Sequence, residues 1–137
     1  MPNRFLLFML FGLFFFTACE KKSTKLIGTW QSEILIAEAV DSNNNESISN
    51  YNQLLTFYAN GTYSKNYITG NWSVNGRIVE FIPNADLGLE TEAFKIKRCN
   101  KSELILEIKL KENEFTVGFE NFEEGERIVI QEFYKKE

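Results

Sequence analysis

Residues 104–110, LILEIKL, carry an apolar side chain at every second position: Leu104, Leu106, Ile108 and Leu110. Successive side chains of a strand point to opposite faces, so a period of two predicts a β-strand with one buried face. The same period continues through residues 94–96 before this stretch and through residues 115–119 and 128–134 after it. Residues 26–137 contain no convincing helical period. The pattern therefore predicts an all-β domain.

Turn signals separate the predicted strands at short intervals. Asn60-Gly61 and Asn75-Gly76 are strong β-hairpin signals, and Pro83 closes the strand that follows the second of them. If residues 63–74 form one long strand that bends at Gly70, the domain has eight strands. Eight short strands joined mostly by hairpins predict an antiparallel up-and-down barrel or a sandwich. An eight-stranded barrel can hold one small ligand or be filled by its own side chains.

The first strand and the loop after it have contrasting patterns. The first strand is predicted to place one set of side chains on one face, namely Trp30, Ser32, Ile34 and Ile36. Residues 41–50, DSNNNESISN, have no hydrophobic period and predict a polar loop. This loop is therefore a candidate surface for contact with another protein.

The N-terminus has the pattern of an export signal. Arg4 precedes a short apolar run over residues 5–16, and the small residues Thr17 and Ala18 lead into Cys19. The run is shorter than the roughly 20 residues that span a bilayer. The sequence Phe16-Thr17-Ala18-Cys19 resembles the lipoprotein box of bacteria. The resemblance implies cleavage before the cysteine, which then carries an acyl lipid such as palmitate.

Three segments follow from this interpretation. Residues 1–18 are predicted to be a lipoprotein signal peptide, residues 19–25 a lipidated cysteine with a polar tether, and residues 26–137 the β-barrel domain. We expect a lipid-anchored protein of the bacterial cell envelope. The segment Glu20-Lys21-Lys22 is not the acidic run that some surface-exposed lipoproteins carry after the cysteine. We therefore expect an outer-membrane location that faces the periplasm.

Composition argues against several classes of function. The chain has 15 basic and 19 acidic residues, and removal of the segment that contains Arg4 leaves a net charge of −5. An acidic domain lacks the basic patch that nucleic-acid binding needs. The chain has no histidine, so it cannot build a Ser-His-Asp triad or a histidine-based zinc site. We expect no catalytic residues, metal or cofactor, and hence no enzyme. Cys99 would have no disulfide partner if Cys19 is acylated.

Several short motifs occur together in a known order. Leu26-Ile27-Gly28-Thr29-Trp30 resembles the G-x-W signature of lipocalins. The motifs that follow it are Leu55-Thr56-Phe57, Asn60-Gly61-Thr62-Tyr63, Gly70-Asn71-Trp72, residues 78–81 and Phe133-Tyr134-Lys135-Lys136. The mature chain thus resembles the lipocalin-like domain of small bacterial lipoproteins. The resemblance implies an eight-stranded, calycin-type barrel over about residues 26–136.

The resemblance also implies a structural role for three residues. In lipocalins the tryptophan of the first strand packs across the closed end of the barrel, often beneath an arginine from the last strand. Gly28 and Trp30 match the signature, and Arg127 at the start of the last strand is the candidate arginine. The chain is shorter than lipocalins and ends without the helix that usually follows their barrel. A small or filled cavity is therefore an alternative to a roomy one.

Aromatic residues are numerous for a domain of this size. The candidate cavity-lining residues are Phe57, Tyr63, Tyr67, Trp72, Phe81, Phe94 and Phe119. They would form either the wall of a ligand cavity or an ordinary hydrophobic core. Tyr63 and Tyr67 share a strand face with Lys65, which would meet a ligand carboxylate if that face points inward.

Two functions are consistent with these observations. The first is a membrane-anchored binding protein that holds or passes a small apolar or amphiphilic ligand. The alternative is a filled barrel that acts as a structural or interaction module and binds another envelope protein through residues 41–50 or an outer face. The volume of the cavity separates the two.

Overall fold

The computed structural model describes residues 23–49, 52–111, 114 and 122–137. Residues 23–26 form one helical turn, and nine strands follow in the described part of the chain. The strands are β1 Gly28–Ala39, β2 Asn45–Ser49, β3 Leu54–Phe57, β4 Thr62–Lys65, β5 Ile68–Asn75, β6 Ile78–Pro83, β7 Glu92–Cys99, β8 Glu103–Lys111 and β9 Arg127–Lys136. A short 3₁₀ helix, Ala85–Leu87, lies between β6 and β7. The signal segment, Cys19 and the predicted strand at residues 115–119 lie outside the described residues.

The strands form a closed antiparallel barrel. Each of β3 to β8 pairs with the next strand in sequence, and β9 pairs with β1 to close the sheet. One edge of β1 pairs with β9. On the other edge, β3 pairs with residues 28–31 of β1, and β2 pairs with residues 34–38 of β1. Because β2 and β3 occupy one position in the ring, nine strands make an eight-stranded barrel. The predicted all-β up-and-down barrel is confirmed.

Part of the predicted polar loop at residues 41–50 is a strand. Asn45–Ser49 forms β2, which pairs with residues 34–38 of β1. Within β2, Glu46 and Ile48 are half-buried, whereas Asn45, Ser47 and Ser49 are exposed. The open edge of β1 supplies backbone hydrogen-bond partners, which compensates for the weak hydrophobic pattern of this segment. The prediction of a loop was therefore wrong for residues 45–49, whereas residues 41–44 belong to no strand or helix and Asn50 lies outside the described residues.

The first strand changes face in its middle. Ser32 pairs with Tyr134 and Ile34 pairs with Phe133, so Glu33 is an additional residue in a β-bulge. A bulge shifts the alternation by one residue. The buried residues of β1 are accordingly Trp30 and Ser32 before the bulge and Leu35 and Ala37 after it. The prediction that Ile34 and Ile36 share the face of Trp30 was wrong for this reason.

Residues 63–74 form two strands rather than one bent strand. β4 and β5 are joined by a tight turn in which Asn66 adopts a φ of 55°. Gly70 is needed for a different reason from the predicted bend. A Cβ atom at Gly70 would lie 2.1 Å from the backbone oxygen of Ile82. The absence of a side chain thus lets β5 and β6 approach each other.

Candidate functional site

The interior of the barrel contains a layer of aromatic rings contributed by β3 to β7. Phe81 is at its centre, with ring centroids 5.6 Å from Phe57, 4.9 Å from Tyr63 and 5.7 Å from Phe94. Trp72 meets Phe57 edge-on at 5.1 Å. These separations are those of favourable aromatic contacts. The structure therefore brings five of the predicted aromatic residues together, and they pack on one another.

The remaining two aromatic candidates have different outcomes. Tyr67 lies in the turn between β4 and β5, and its exposed fraction is 98%. Its prediction as a cavity-lining residue was wrong, because the turn ends the alternation that would have placed it beside Tyr63 and Lys65. Phe119 lies outside the described residues.

Trp30 occupies one end of the barrel, and that end is covered by the N-terminal helical turn. The indole nitrogen of Trp30 donates a hydrogen bond of 2.8 Å to the backbone oxygen of Leu26, and both residues are fully buried. We call this the Trp30 end. The opposite end carries the start of β9 and the turn at Asn66 and Tyr67.

The cation over Trp30 is a lysine rather than the predicted Arg127. The Lys136 ammonium lies 4.4 Å from the Trp30 ring centroid and donates to the backbone oxygen of Ile27 at 2.5 Å. Arg127 instead forms a 2.9 Å ion pair with Asp41 at the opposite end. The antiparallel register explains the difference, because it places the end of β9 beside the start of β1. Gly28 makes room for this lysine, since a Cβ there would lie 2.6 Å from the Lys136 Cε.

A charged pair crosses the interior next to the aromatic layer. The ammonium of Lys65, on β4, lies 3.6 Å from a carboxylate oxygen of Glu132, on β9. The two side chains are only 12% and 10% exposed. The same ammonium lies 4.7 Å from the Phe94 ring centroid and 5.7 Å from that of Phe81. Aromatic faces attract cations, so the rings and the carboxylate together hold Lys65 inside the barrel.

A chain of hydrogen bonds extends the pair towards β1 and β3. The hydroxyl of Tyr134 donates to Glu132 at 2.5 Å and accepts a 2.6 Å hydrogen bond from the side-chain amide of Gln53. The backbone nitrogen of Gln53 donates a 2.9 Å hydrogen bond to the Ser32 hydroxyl, and the backbone oxygen of Gln53 accepts one of 2.9 Å from the Ser32 nitrogen. Buried polar groups are costly unless they are paired, and this network pairs them. We call these five residues, Ser32, Gln53, Lys65, Glu132 and Tyr134, the interior polar network.

Tyr63 lies at the edge of the aromatic layer and stays protonated at neutral pH. Burial raises the pKa of its phenol above the ordinary value, and the negative charge of Glu92 acts in the same direction. Its neutral hydroxyl is therefore a hydrogen-bond donor and acceptor inside the barrel. Cys99 is a free thiol whose pKa is raised by burial, although Lys136 and Lys25 partly oppose the rise.

Sequence reasoning missed Glu132, Gln53 and Ser32 as site residues. A signal for Glu132 was present, because it falls on the inward face of β9 between Ile130 and Tyr134. When a carboxylate replaces an apolar residue on the inward face of a strand, it is rarely buried without a charged or hydrogen-bonding partner. The sequence offered no comparable signal for Gln53, which precedes β3 and lies outside any alternation.

Three surface depressions accompany the barrel, and none of these three is lined by a predicted aromatic residue. Among the described residues, no group of three Cys, Asp or Glu side chains is placed to hold a metal ion. No helix within the described ranges is long and apolar enough to cross a membrane.

Comparison with known proteins gives one informative likeness. No family model matches the chain, and no curated protein matches it. The crystal structure of a lipocalin-like protein from Bacteroides uniformis ATCC 8492 matches with a TM-score of 0.50 and 16% sequence identity. The match covers 82% of this chain and 99% of that one. The barrel therefore has a lipocalin-like fold.

Proposed function

We propose that this chain is a lipid-anchored binding protein of the bacterial envelope whose barrel holds a small amphiphilic ligand. Lys65 is the observation that carries the proposal, because a buried ammonium inside an aromatic-rich barrel is costly to keep. An ammonium has three donors, and Glu132 is its one carboxylate partner among the described residues. Lys65 can therefore also bind the carboxylate or other polar head of a ligand whose apolar body contacts the rings.

The anchor and the location complete the proposal. The N-terminal pattern at residues 4–19 supports acylation of Cys19, and the periplasmic face of the outer membrane is the proposed site. Labelling of growing cells with an alkyne analogue of palmitate tests the anchor, with Cys19→Ser as the control that must lose the label. Protease treatment of whole cells tests the location, because a protein that faces the periplasm stays intact.

The ligand proposal is tested by comparing two ligands that differ only in their heads. We expect the full chain to bind laurate more tightly than dodecanol, because only laurate has a carboxylate for Lys65. In the Lys65→Met variant this preference disappears while dodecanol still binds. Lys109→Met is the matched control, because Lys109 is exposed on β8 and its removal leaves the preference intact.

The alternative is a filled barrel that binds another envelope protein. The mutual packing of Phe57, Phe81 and Phe94 favours it, because these rings fill part of the interior. Native mass spectrometry of the chain purified from its host separates the two functions. A discrete lipid-like added mass supports the carrier. A bare mass, with neither laurate nor dodecanol bound afterwards, contradicts it and supports the filled barrel.

A further inference from the structure

A second site lies on the outside of the barrel, at the Trp30 end. A depression of about 200 Å³ is bounded by the N-terminal helical turn, the β5–β6 turn and the end of β7. Its lining residues are Lys25, Gly76, Arg77, Ile96, Lys97, Arg98 and Cys99. Four of these seven residues are cationic, and none is acidic. We call this depression the basic groove.

The strand geometry explains why cations gather here. The register between β7 and β8 shifts between Ile96 and Arg98, which makes Lys97 the additional residue of a bulge. Ile96 and Cys99 are half-buried on either side, so Lys97 and Arg98 are consecutive outward residues. An uninterrupted strand would have turned one of them inward. Arg77 reaches the same place because its backbone oxygen accepts the 2.7 Å hydrogen bond of the Ile96 nitrogen.

The neighbouring carboxylates neutralise only part of this charge. Glu103 lies 3.2 Å from Arg98, and Glu107 lies 3.9 Å from Lys97. Among the described residues, neither Lys25 nor Arg77 has a carboxylate within ion-pair distance. Two cations are therefore left without a counter-ion beside a half-buried apolar surface formed by Ile96 and Cys99.

The opposite end of the barrel carries charges of both signs. One depression there is lined by Asp41, Glu123, Glu124 and Glu126 together with small polar residues. Another is lined in part by Lys109, Lys111 and Arg127 together with Glu114. The lining of the basic groove contains no acidic residue, so an anionic group is attracted to it more strongly than to the mixed charges of the other end.

We propose that the basic groove binds a phosphoryl group, and that the group belongs to the headgroup of an anionic phospholipid. Arginine and lysine are the side chains that recognise phosphate oxygens. The four peptide links from Cys19 to Ser23 span at most roughly 14 Å, so a lipid on Cys19 would hold this end close to a bilayer. The choice of a lipid source rests on the anchor in the proposed function, whereas the phosphoryl site rests on the groove alone.

This arrangement would fix the orientation of the barrel. With the basic groove on the headgroups, the end that carries the start of β9 points away from the membrane. A ligand or partner that meets the opposite end then comes from the aqueous compartment rather than from the leaflet that holds the anchor.

The test uses the ¹⁵N-labelled full chain in a neutral detergent at low salt. It is titrated with dihexanoyl-phosphatidylglycerol, with the phosphatidylcholine of the same chain length, and with inorganic phosphate. We expect phosphatidylglycerol to shift the amide signals of Gly76, Arg77 and Cys99, and to bind at least tenfold more tightly than phosphatidylcholine. Equal binding of the two lipids, or no shift with any of the three ligands, would overturn the site.

A matched pair of double variants removes the same charge from each end. Arg77→Gln with Lys97→Gln should weaken phosphatidylglycerol binding at least tenfold, whereas Lys109→Gln with Lys111→Gln should leave it unchanged. An equal loss of phosphatidylglycerol affinity in both double variants would refute the groove, because such a loss would depend only on the net charge of the chain. If inorganic phosphate binds as tightly as the lipid, the phosphoryl site stands and its assignment to a lipid fails. Lys65 is intact throughout, so these outcomes are independent of the interior ligand.

Discussion

Removal of the Lys65 ammonium should destabilise the fold more than removal of the whole interior ion pair. In Lys65→Met the apolar part of the side chain stays, but the buried Glu132 carboxylate loses its ammonium partner. At 3.6 Å and an effective dielectric constant of about 20, the attraction between the two charges is about 5 kcal/mol. Taking each charge out of water costs several kcal/mol, which offsets most of that attraction.

The expected magnitudes follow from this near balance. Lys65→Met should lower the free energy of unfolding by about 3–5 kcal/mol, as is usual when one member of a buried pair is removed. Glu132→Gln should cost less, because the ammonium keeps the faces of Phe94 and Phe81. The double variant should lie within about 1 kcal/mol of the original chain, since no buried charge is left over.

Guanidinium chloride unfolding at pH 7.5 measures the four free energies of this cycle. The pair Lys135 and Glu33 is the matched control, because it is a 2.9 Å ion pair of the same kind on the exposed surface. That pair should show no measurable coupling. If the effects of Lys65→Met and Glu132→Gln simply add, the two charges do not depend on each other, and the interpretation of the interior polar network is wrong.

Three further predictions concern packing and pH. Trp30→Ala should cost about 3–5 kcal/mol of unfolding free energy, and Trp72→Ala should cost less because Trp72 is only half-buried. Gly70→Ala should cost about 1–3 kcal/mol, because its Cβ meets the Ile82 backbone; a melting temperature equal to that of the original chain would contradict this. The fold raises the pKa of Tyr63, so the unfolded chain loses the phenol proton at a lower pH than the folded chain does. The free energy of unfolding should therefore fall as the pH rises through the ordinary tyrosine value of about 10. Tyr63→Phe should reduce this loss of stability, as measured by alkaline denaturation.

Local patterns in the sequence accounted for most of the architecture. The alternation around Leu104 and Leu106 and the hairpin signals at residues 60–61 and 75–76 predicted the antiparallel order, because each depends on neighbouring residues alone. The same reasoning failed where one additional residue reverses the alternation of inward and outward side chains. The bulge at Glu33 turned Leu35 inward instead of Ile34, and no local signal marks that position.

The candidate site was only half predictable. Phe57, Tyr63, Phe81 and Phe94 are buried as expected, because large aromatic residues at alternating positions of a strand favour the interior. The orientation of Lys65 was left open, since a lysine between two tyrosines is compatible with either face. Tyr67 is one turn further along and points into solvent.

The sequence by itself determined the all-β class of the fold, the hairpin order of most strands and the identity of the buried tryptophan at one end. Only the tertiary structure decided which cation covers Trp30 and which acid meets Lys65. Those choices depend on the register with which β9 closes onto β1, across about 100 residues of chain. Closure is a long-range event in which the whole barrel selects one register. It places Lys136 on Trp30, and it brings Glu132 opposite Lys65, a pairing that the inward position of Glu132 on β9 did not by itself predict.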